Sequence, residues 1–470
     1  MSTKKTRREF LKKTLYAGAG MWVVGNAGCA AFQMGPRPRR ISPNEMMGIA
    51  GIGAGGKGAS DIEDASKGNN VVALCDVDDV SAANTFEKFP KAKRYRDFRK
   101  MLEEMDKQID AVTISTPDHQ HYVATIMAMK MGKHVYTQKP LTHDVWEARM
   151  LTRAAKKYPV VTQMGNQGTA EDGLREAVEV VQSGAIGPVR EVHVWTNRPI
   201  WPQGIKRPTD TPPVPATLDW DLWLGTAPYR PYHAAPSPKD PKKMEGTYNP
   251  FKWRGWWDFG TGALGDMACH TANMAFMACK LGYPTSIEAE CSKDINDETC
   301  PTWSIIRYEF PARGKMPALR WTWYDGGASK PAKAVEAIRK LVPGKEIPGS
   351  GSILVGDKGV LFSPNDYGAK CVLLPEEKFE GYKPPTPWLP RVHKDHAGEW
   401  LRACRGMGKT MSNFAYAGPL TETVVLGCVA LKVGQKILWD GPNMKITNCP
   451  EANNYLRREY RKGWDSGYEI

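Results

Sequence analysis

Short apolar runs alternate with helix-like segments through the first third of the chain. Met46–Ile52 is apolar and ends in a glycine-rich loop, and Lys57–Ser66 then has the character of a helix. Further apolar runs follow at Val71–Cys75, Ala111–Ser115 and His134–Thr137. Strands of this length that alternate with helices are typical of a parallel sheet with crossover helices. The pattern therefore predicts an α/β fold that begins with a doubly wound, Rossmann-type domain.

The second half of the chain has longer strand-like stretches and most of the tryptophans. Arg190–Thr196 and Ser304–Phe310 are two strands, Gly351–Phe362 returns to strand, and Thr421–Leu438 is predicted to form an apolar helix. The length and the change of pattern suit two domains. The predicted order is a signal peptide at 1–31, a linker at 32–45, a dinucleotide-binding domain at 46–165, a second α/β domain at 166–440 and a tail at 441–470.

The N-terminus predicts export. Residues 6–12 read Thr-Arg-Arg-Glu-Phe-Leu-Lys, the order of a twin-arginine signal, and the run 15–31 is too short and glycine-rich to span a bilayer. A basic surface helix is the alternative. Cleavage is expected near Cys29 to Phe32, and the lipoprotein-like Ala-Gly-Cys ending at Cys29 leaves a lipid anchor open. We expect a periplasmic or other extracytoplasmic protein that the twin-arginine machinery translocates folded, with its cofactor bound.

Composition and charge fit a globular enzyme. Of the 470 residues, 41% are hydrophobic and 24% are charged. The net charge is +13, but residues 1–40 hold nine Lys or Arg against Glu9 alone. Because most of the excess belongs to the leader, nucleic-acid binding is not expected. The ten cysteines have scattered spacings and are predicted to be mostly buried thiols, with Cys291 and Cys300 as the pair to consider for a disulfide.

The loop after the first strand predicts a dinucleotide site. Gly51, Gly53 and Gly56 lie between a strand and a helix, where glycine lets the backbone approach a pyrophosphate at the helix N-terminus. The next strand ends at Asp76, twenty residues past Gly56, where a carboxylate can bind the adenosine ribose. The same carboxylate would repel a 2′-phosphate, so we predict NAD rather than NADP. A glycine-rich turn with a capping aspartate is the alternative.

Two later strand ends add polar residues to the same edge of the sheet. Thr116 and Pro117 lead to His119 and His121, and the strand ending at Thr137 leads to Gln138 and Lys139. The two histidines could be a metal pair, but no third ligand lies nearby in sequence, so no metal is predicted. We expect this segment to cap and line the cofactor cleft.

A glycine-rich loop at residues 260–265 feeds a predicted helix that extends to about Leu281. Asp266 and His270 stand at i and i+4 and share one helical face. Alcohol oxidation needs a base for the hydroxyl proton, and histidine titrates in the useful range. His270 is therefore the predicted base and Asp266 the residue that orients it. A capping aspartate with a packed histidine is the alternative.

From Met46 to Asp440 the chain resembles the glucose-fructose oxidoreductase/inositol dehydrogenase/MocA (Gfo/Idh/MocA) group of NAD(P)-dependent oxidoreductases. The resemblance rests on the glycine loop, Thr116 to His121, Gln138-Lys139-Pro140 and the Asp-x-x-x-His element ending at His270, in that order. In that family the lysine contacts the reacting hydroxyl and the nicotinamide ribose, which implies the same role for Lys139. The family has glutamate where this chain has Gln138, a change that removes a carboxylate but keeps a hydrogen-bond acceptor.

The resemblance also implies an open, mixed sheet in the second domain, which packs across the cofactor cleft and builds a homo-oligomer interface. It places Asp266 and His270 beside Lys139 at the nicotinamide, and we expect Asn166 to border the same pocket. Several tryptophans flank proline-rich loops, where they could stack on sugar rings or pack in the core. They are Trp201, Trp220, Trp223, Trp253, Trp256 and Trp257.

These features predict an exported, NAD-dependent oxidoreductase that acts on a CH–OH group of a sugar, glycoside or cyclitol. Outside the cytosol a reduced cofactor has no free pool to exchange with, so it must be reoxidised in place. One closed cycle oxidises one sugar and reduces another. A second is that of an NAD-dependent glycosidase, in which transient oxidation permits elimination. A secreted sugar-binding protein without catalysis is a further alternative, which Lys139 and His270 argue against.

Overall fold

The computed structural model describes residues 36–237, 239–240, 242–465 and 467–470. The predicted twin-arginine signal and Cys29 lie outside the described residues. The described residues form two layered domains, each built on one sheet.

The first domain is a six-stranded parallel sheet in the order β3-β2-β1-β4-β5-β6. This is the Rossmann order, with its switch point between β1 and β4. The strands are β1 Gly48–Ile52, β2 Asn70–Cys75, β3 Lys93–Tyr95, β4 Ala111–Ile114, β5 His134–Thr137 and β6 Thr162–Met164. The helices are α1 Lys57–Ser66, α2 Asp79–Lys88, α3 Phe98–Glu104, α4 Asp118–Lys130, α5 Val145–Lys157 and α6 Asp172–Gln182.

The second domain is a nine-stranded mixed sheet in the order β15-β14-β13-β7-β12-β11-β10-β16-β17, and β8 pairs with β9 in a separate hairpin. The strands are β7 Val189–Trp195, β8 Ala234–Pro236, β9 Met244–Gly246, β10 Ser286–Cys291, β11 Ser304–Phe310, β12 Leu319–Tyr324, β13 Gly351–Gly356, β14 Gly359–Ser363, β15 Val372–Leu374, β16 Ile437–Asp440 and β17 Lys445–Ile446. The helices are α7 Trp220–Leu224, α8 Gly262–Thr271, α9 Asn273–Ala278, α10 Ala332–Leu341, α11 His396–Cys404 and α12 Phe414–Val433. The predicted α/β fold is confirmed.

A long, mostly irregular segment between β7 and α8 covers the end of the first sheet. We call it the cover segment, residues 196–261 apart from 238 and 241. The cover segment contacts the β2–α2 loop of the first domain through two backbone hydrogen bonds. The N–H of Asp79 donates to the Thr217 carbonyl at 3.0 Å, and the N–H of Asp219 donates to the Val77 carbonyl at 2.8 Å. The cover segment therefore lies over the carboxyl ends of β1 and β2, where a Rossmann domain binds its ligand.

Helix α12 is the central helix between the two domains. It packs along α5, and 15 of its residues are buried, from Phe414 to Leu431. It is the one helix among the described residues with the length and apolarity of a membrane span, but 83% of its apolar window is buried inside the protein. Burial on all sides is typical of the core helix of a large domain.

Four predicted details are wrong. Helix α4 begins at Asp118, so His119 and His121 lie in its first turn, whereas the sequence predicts a helix that begins only at Tyr122. The helix predicted to extend to Leu281 is divided at Ala272 into α8 and α9. Helix α12 ends at Gly434, which adopts the left-handed conformation that closes a helix, so Leu438 lies in β16. Both Cys291 and Cys300 are free thiols.

Candidate active site

A cleft of about 250 Å³ lies at the carboxyl ends of β1, β2, β4 and β5, beneath the cover segment. The first domain contributes residues that follow five strands, β1 to β5. They are Ile52, Gly53, Gly55, Gly56, Lys57, Cys75, Asp76, Val77, Asp78, Ser81, Arg96, Asp97, Phe98, Ser115, Thr116, Pro117, Gln120, Gln138 and Lys139. Opposite them are Leu222, Trp223, Asn249, Pro250, Phe251, Trp253, Arg254 and, from the C-terminal tail, Trp464.

The glycine loop fits a dinucleotide backbone. Gly53 has a φ of +79°, and a Cβ there would lie 2.6 Å from the Ser115 carbonyl oxygen. A Cβ on Gly58 would lie 1.8 Å from the Gly53 carbonyl oxygen, so α1 can start this close to the loop only with glycine. Gly56, at the N-terminus of α1, has a φ of +51° and nothing within 4 Å of a Cβ position. The helix N-terminus is thus open to a pyrophosphate.

A polar atom without a partner points to the same ligand. The hydroxyl of Thr116 is buried and has no hydrogen-bond partner among the described residues, although Thr116 lines the cleft. A buried polar group of this kind is normally paired. The residues of the cleft therefore fit a bound dinucleotide.

Asp76 lies in the cleft at the end of β2, as predicted. Its Oδ2 accepts hydrogen bonds from the backbone N–H groups of Ala54 (2.7 Å) and Gly55 (3.0 Å), and Oδ1 accepts one from that of Asp78 (2.9 Å). Burial raises the pKa of Asp76 despite these bonds. The carboxylate therefore also fixes the glycine loop, a role that the sequence did not reveal, and its contact with the ribose stays a prediction.

Asp61 supplies the carboxylate that Gln138 lacks. Its Oδ2 accepts hydrogen bonds from Gln138 Nε2 and from Ser115 Oγ, each at 2.8 Å, and its Oδ1 forms an ion pair with Lys57. Asp61 is only 5% exposed. Sequence analysis missed it, although its i+4 spacing from Lys57 at the start of α1 was a usable signal.

Lys139 is held by Asp266 across the interface of the two domains. Its Nζ donates to Oδ1 of Asp266 at 2.8 Å and to the Asp266 carbonyl oxygen at 2.5 Å. Arg254 Nε donates to the same Oδ1 at 3.0 Å. Burial alone would raise the pKa of Asp266, but the charges of Lys139 and Arg254 outweigh it and hold the pKa well below its usual range. Asp266 is thus a buried anion shared by two cations.

The predicted pairing of Asp266 with His270 is wrong. The carboxylate is bound to Lys139 and Arg254, because two cations compete more strongly for it than a neutral imidazole does. His270 Nδ1 has no hydrogen-bond partner among the described residues, and the ring packs edge-on against Tyr367 at 4.9 Å between centroids. Burial, assisted by the charge of Lys139, lowers the pKa of His270 well below its usual value. The ring is therefore neutral, and the lowered pKa makes it a weaker base than a free histidine.

Asp118 is a second buried carboxylate beside this group. It is 3% exposed and accepts a hydrogen bond from the Thr261 hydroxyl at 2.7 Å. Burial raises its pKa to about 7, while Lys139 and Arg254 act in the opposite direction. Asp118 has no local sequence signature, because its partner Thr261 is 143 residues away.

His121 and Asn166 support the cleft without lining it. The ring nitrogens of His121 lie 2.7 Å from the Pro140 carbonyl oxygen and 2.8 Å from that of Thr116, so the ring joins two strand-end loops. Asn166 is fully buried, donates to the Cys269 carbonyl at 3.3 Å and accepts from the Ser412 hydroxyl. Both were predicted to bind the cofactor, but the structure bonds them to other protein groups and neither lines the cleft.

Most of the tryptophans singled out in the sequence belong to the core of the cover segment. Trp220 stacks on Trp223 at 4.7 Å between centroids, and Trp256 is fully buried. Only Trp223 and Trp253 of the six line the cleft, together with Phe251. The Arg254 guanidinium lies 4.3 Å from the Trp253 ring, so this aromatic wall also holds the cation that pairs with Asp266.

The fold and the cleft together define a dinucleotide-binding Rossmann domain joined to a second α/β domain. Two family models match the chain: an oxidoreductase family with an NAD-binding Rossmann fold at residues 46–166, and the C-terminal alpha/beta domain of the same family at 175–316. Together they cover more than half of the sequence. The chain belongs to the Gfo/Idh/MocA oxidoreductase family, and its first domain is an NAD-binding domain.

Curated relatives match about a third of the chain. A glycosyl hydrolase family 109 protein of Solibacter usitatus is 30% identical over 171 residues, which are 33% of this chain and 38% of that protein. An inositol 2-dehydrogenase of Salmonella typhimurium is 27% identical over 149 residues, or 31% of this chain and 44% of that enzyme. The chain thus spans less than half the length of these relatives.

A solved structure matches nearly the whole fold. The WlbA dehydrogenase of Chromobacterium violaceum, in complex with NADH and UDP-GlcNAcA, is 16% identical, covers 86% of this chain and 98% of its own, and has a TM-score of 0.57. At this identity the similarity concerns the fold. It confirms the predicted fold class, a Rossmann domain followed by an α/β domain with a mixed sheet.

Proposed function

We propose that this protein is an NAD-dependent oxidoreductase that acts on a ring carbinol of a sugar, glycoside or cyclitol. The observation that supports it most directly is the placement of Lys139, which lines the cleft beside Gln138 and is held by Asp266 from the opposite domain. Bound NAD would supply a hydride acceptor at C4 of its nicotinamide. The family and the inositol 2-dehydrogenase relative are consistent with this substrate class.

The charge of each site residue determines its proposed role. The ammonium of Lys139 polarises the substrate oxygen, and Asp266 together with Arg254 fixes its position. The proposed acceptor of the hydroxyl proton is His270, whose Nδ1 has no hydrogen-bond partner among the described residues, and the ring would return the proton in the reverse direction. Asp118 is a second group that can accept the proton, because burial raises its pKa to about 7 while the charge of Lys139 acts to lower it.

We also propose that the protein is exported through the twin-arginine route and keeps its cofactor bound. The support is the sequence at residues 6–12, which lies outside the described residues. An enclosed cofactor suits a cycle in which oxidation and reduction alternate without exchange. Lipidation at Cys29 and assembly into a homo-oligomer belong to the same proposal.

A glycosidase with no net redox change is the second candidate. The observation that favours it is the 30% identity to a glycosyl hydrolase family 109 protein. In this cycle transient oxidation of one hydroxyl would acidify the neighbouring C–H, elimination would release the substituent, water would add to the resulting double bond, and return of the hydride would complete hydrolysis without net redox change.

One experiment separates the two candidates. The purified protein is denatured and its released NAD and NADH are quantified before and after incubation with a panel of glycosides and cyclitols. Conversion of bound NAD to NADH by one substrate would support the oxidoreductase, and release of free sugar without net reduction would support the glycosidase.

Lys139→Ala is expected to abolish either reaction and leave the bound NAD in place, since Lys139 acts on the substrate oxygen. Lys107→Ala, which changes an exposed lysine of the first domain, is the matched control and should be fully active. Full turnover by Lys139→Ala, or a preparation of wild-type protein that neither carries nor binds nucleotide, would contradict the proposal.

A further inference from the structure

Trp464 brings the C-terminal tail into the cofactor cleft. The indole is only 3% exposed, and it lines the cleft together with Asp76, Arg96 and Phe98. Its ring centroid lies 5.8 Å from that of Phe98, and the Arg99 guanidinium lies 4.1 Å above it. Both family models end well before this residue, at 166 and 316, so neither accounts for it.

The tail around Trp464 is fastened to the first domain. We call residues 457–465 and 467–470 the C-terminal strap. Its backbone carbonyls accept hydrogen bonds from three side chains of α3 and α4: Arg99 donates to Gly463 (3.3 Å), Lys130 to Gly467 (2.9 Å) and Tyr122 to Tyr468 (2.7 Å). The backbone is therefore bonded to the first domain both before and after Trp464, and this holds the indole in the cleft.

The same strap is fastened to the cover segment by two arginines. Arg458 donates to the Thr226 hydroxyl at 2.6 Å and to the Asp258 carbonyl at 2.9 Å. Arg461 donates to the carbonyls of Asp221 (2.7 Å) and Gly225 (3.0 Å). The strap thus ties the cover segment to the first domain at the same end of the cleft where Trp464 lies.

This end of the cleft is where the adenine belongs. In a Rossmann domain the pyrophosphate lies at the glycine loop and the acid at the end of β2 binds the adenosine ribose, so the base lies beyond Asp76. The side chains there offer two aromatic faces, Phe98 and Trp464, and the apolar Leu222, and Arg96 also lines this part of the cleft. An indole face is a good surface for a purine.

We propose that Trp464 forms one wall of the adenine subsite, so that the dinucleotide exchanges only when the C-terminal strap moves. The inference rests on the proposed binding of NAD and adds a residue to that site. Because the strap is bound to both domains, the wall holds the nucleotide whether or not a sugar is present.

The first test compares the affinities of three nucleotide probes for protein from which the bound nucleotide has been removed. NAD, ADP-ribose and nicotinamide mononucleotide are titrated by calorimetry against wild type, Trp464→Ala and Trp464→Phe. Trp464→Ala should weaken NAD and ADP-ribose by about 10- to 100-fold, the range expected for one base–aromatic contact, and leave nicotinamide mononucleotide unchanged. Trp464→Phe should retain most of the affinity, and Trp388→Ala, at a tryptophan that is 50% exposed, should match wild type.

Unchanged NAD affinity in Trp464→Ala would overturn the proposal, as would an equal loss for all three probes. A wild-type chain that binds none of them would overturn the proposed function as well. A second test uses wild type alone and does not depend on the folding of a variant. NAD and ADP-ribose should slow amide hydrogen exchange in residues 463–470, and nicotinamide mononucleotide should not; equal exchange rates with and without NAD would contradict the role of the strap.

Discussion

At the scale of single residues, a negative charge of the site is carried by Asp61 and not by residue 138. Gln138 carries none, and the buried carboxylate of Asp61 lies 2.8 Å from its side-chain nitrogen. A glutamate at 138 would place two carboxylates in contact, which is unfavourable in a buried site. The glutamine and Asp61 therefore form one unit, and the departure from the family motif does not by itself indicate a loss of catalysis.

The charge of Asp76 gives the first residue-scale prediction. Asp76→Ser should weaken the preference for NAD over NADP by roughly tenfold or more, because a like-charge contact near a protein surface costs about 1–4 kcal/mol. Asp76→Asn removes the same charge but keeps an oxygen that can accept from the Ala54 and Gly55 amides. It should shift the preference with less loss of NAD affinity. Kd values for both cofactors decide the matter, and an unchanged ratio in both variants would argue against Asp76 as the selective residue.

Residue types alone could identify Asp76 and the glycine loop, because each has a local signature, and the resemblance to the family identified Lys139. They could not identify the partners of Lys139. Asp266 was found, but its partner was taken to be His270 four residues away, whereas the structure pairs it with Lys139 and Arg254. Only the fold brings Lys139 within 2.8 Å of a residue 127 positions later.

At the scale of elements, strands and amphipathic helices were predicted well and the buried helix was not. Lys57–Ser66 and His134–Thr137 have the predicted bounds, because polar residues and glycine mark their ends. Helix α12 starts at Phe414, seven residues before the predicted Thr421. A helix that is apolar on all faces has no 3.6-residue period to locate it.

The contact of α12 with α5 depends on one buried ion pair. Glu422 accepts two hydrogen bonds from Arg149, at 2.8 and 2.6 Å, and Arg149 also donates to the Gly441 carbonyl. Glu422→Leu should lower the free energy of unfolding by about 3–5 kcal/mol, because it leaves a buried charge without a partner. Urea unfolding measures this loss.

Two controls define that result. The double variant Arg149→Met/Glu422→Leu should recover much of the stability, since neither charge remains. Glu336→Ala removes the exposed pair with Lys340 and should change stability by no more than about 0.5 kcal/mol. Additive losses in the double variant would show that the two side chains act independently.

At the scale of the whole molecule, stability should depend on pH through buried histidines. Burial lowers the pKa of His121, His134 and His396 to about 4. Because the unfolded chain binds their protons near pH 6.5, each histidine favours folding above that pH, and its contribution is lost as pH falls towards 4. Burial raises the pKa of Asp118 to about 7 and that of Glu147 to about 8, so these carboxyls change stability in the opposite direction as the pH falls. The contribution of one histidine is therefore measured as the difference between wild type and a variant that lacks it.

His396 is the suitable position for that measurement, since its ring contacts the Met164 carbonyl and links α11 to the first sheet. When the pH falls from 7 to 4, wild type should lose about 3 kcal/mol more of its free energy of unfolding than His396→Gln does, at about 1.36 kcal/mol for each pKa unit. Urea unfolding at both pH values tests it. The exposed His393→Gln is the control, and a parallel pH dependence of wild type and His396→Gln would refute the assignment.

The position of Trp464 also sets an order of events during synthesis. The strands of the first domain are complete once Met164 has been made, but the indole that lines their cleft follows about 300 residues later. A nascent first domain thus has its glycine loop long before it has this wall. If Trp464 forms the adenine wall as we propose, firm retention of the nucleotide requires that the second domain has been translated and the strap has docked, and we then expect cofactor loading to be one of the last steps of maturation.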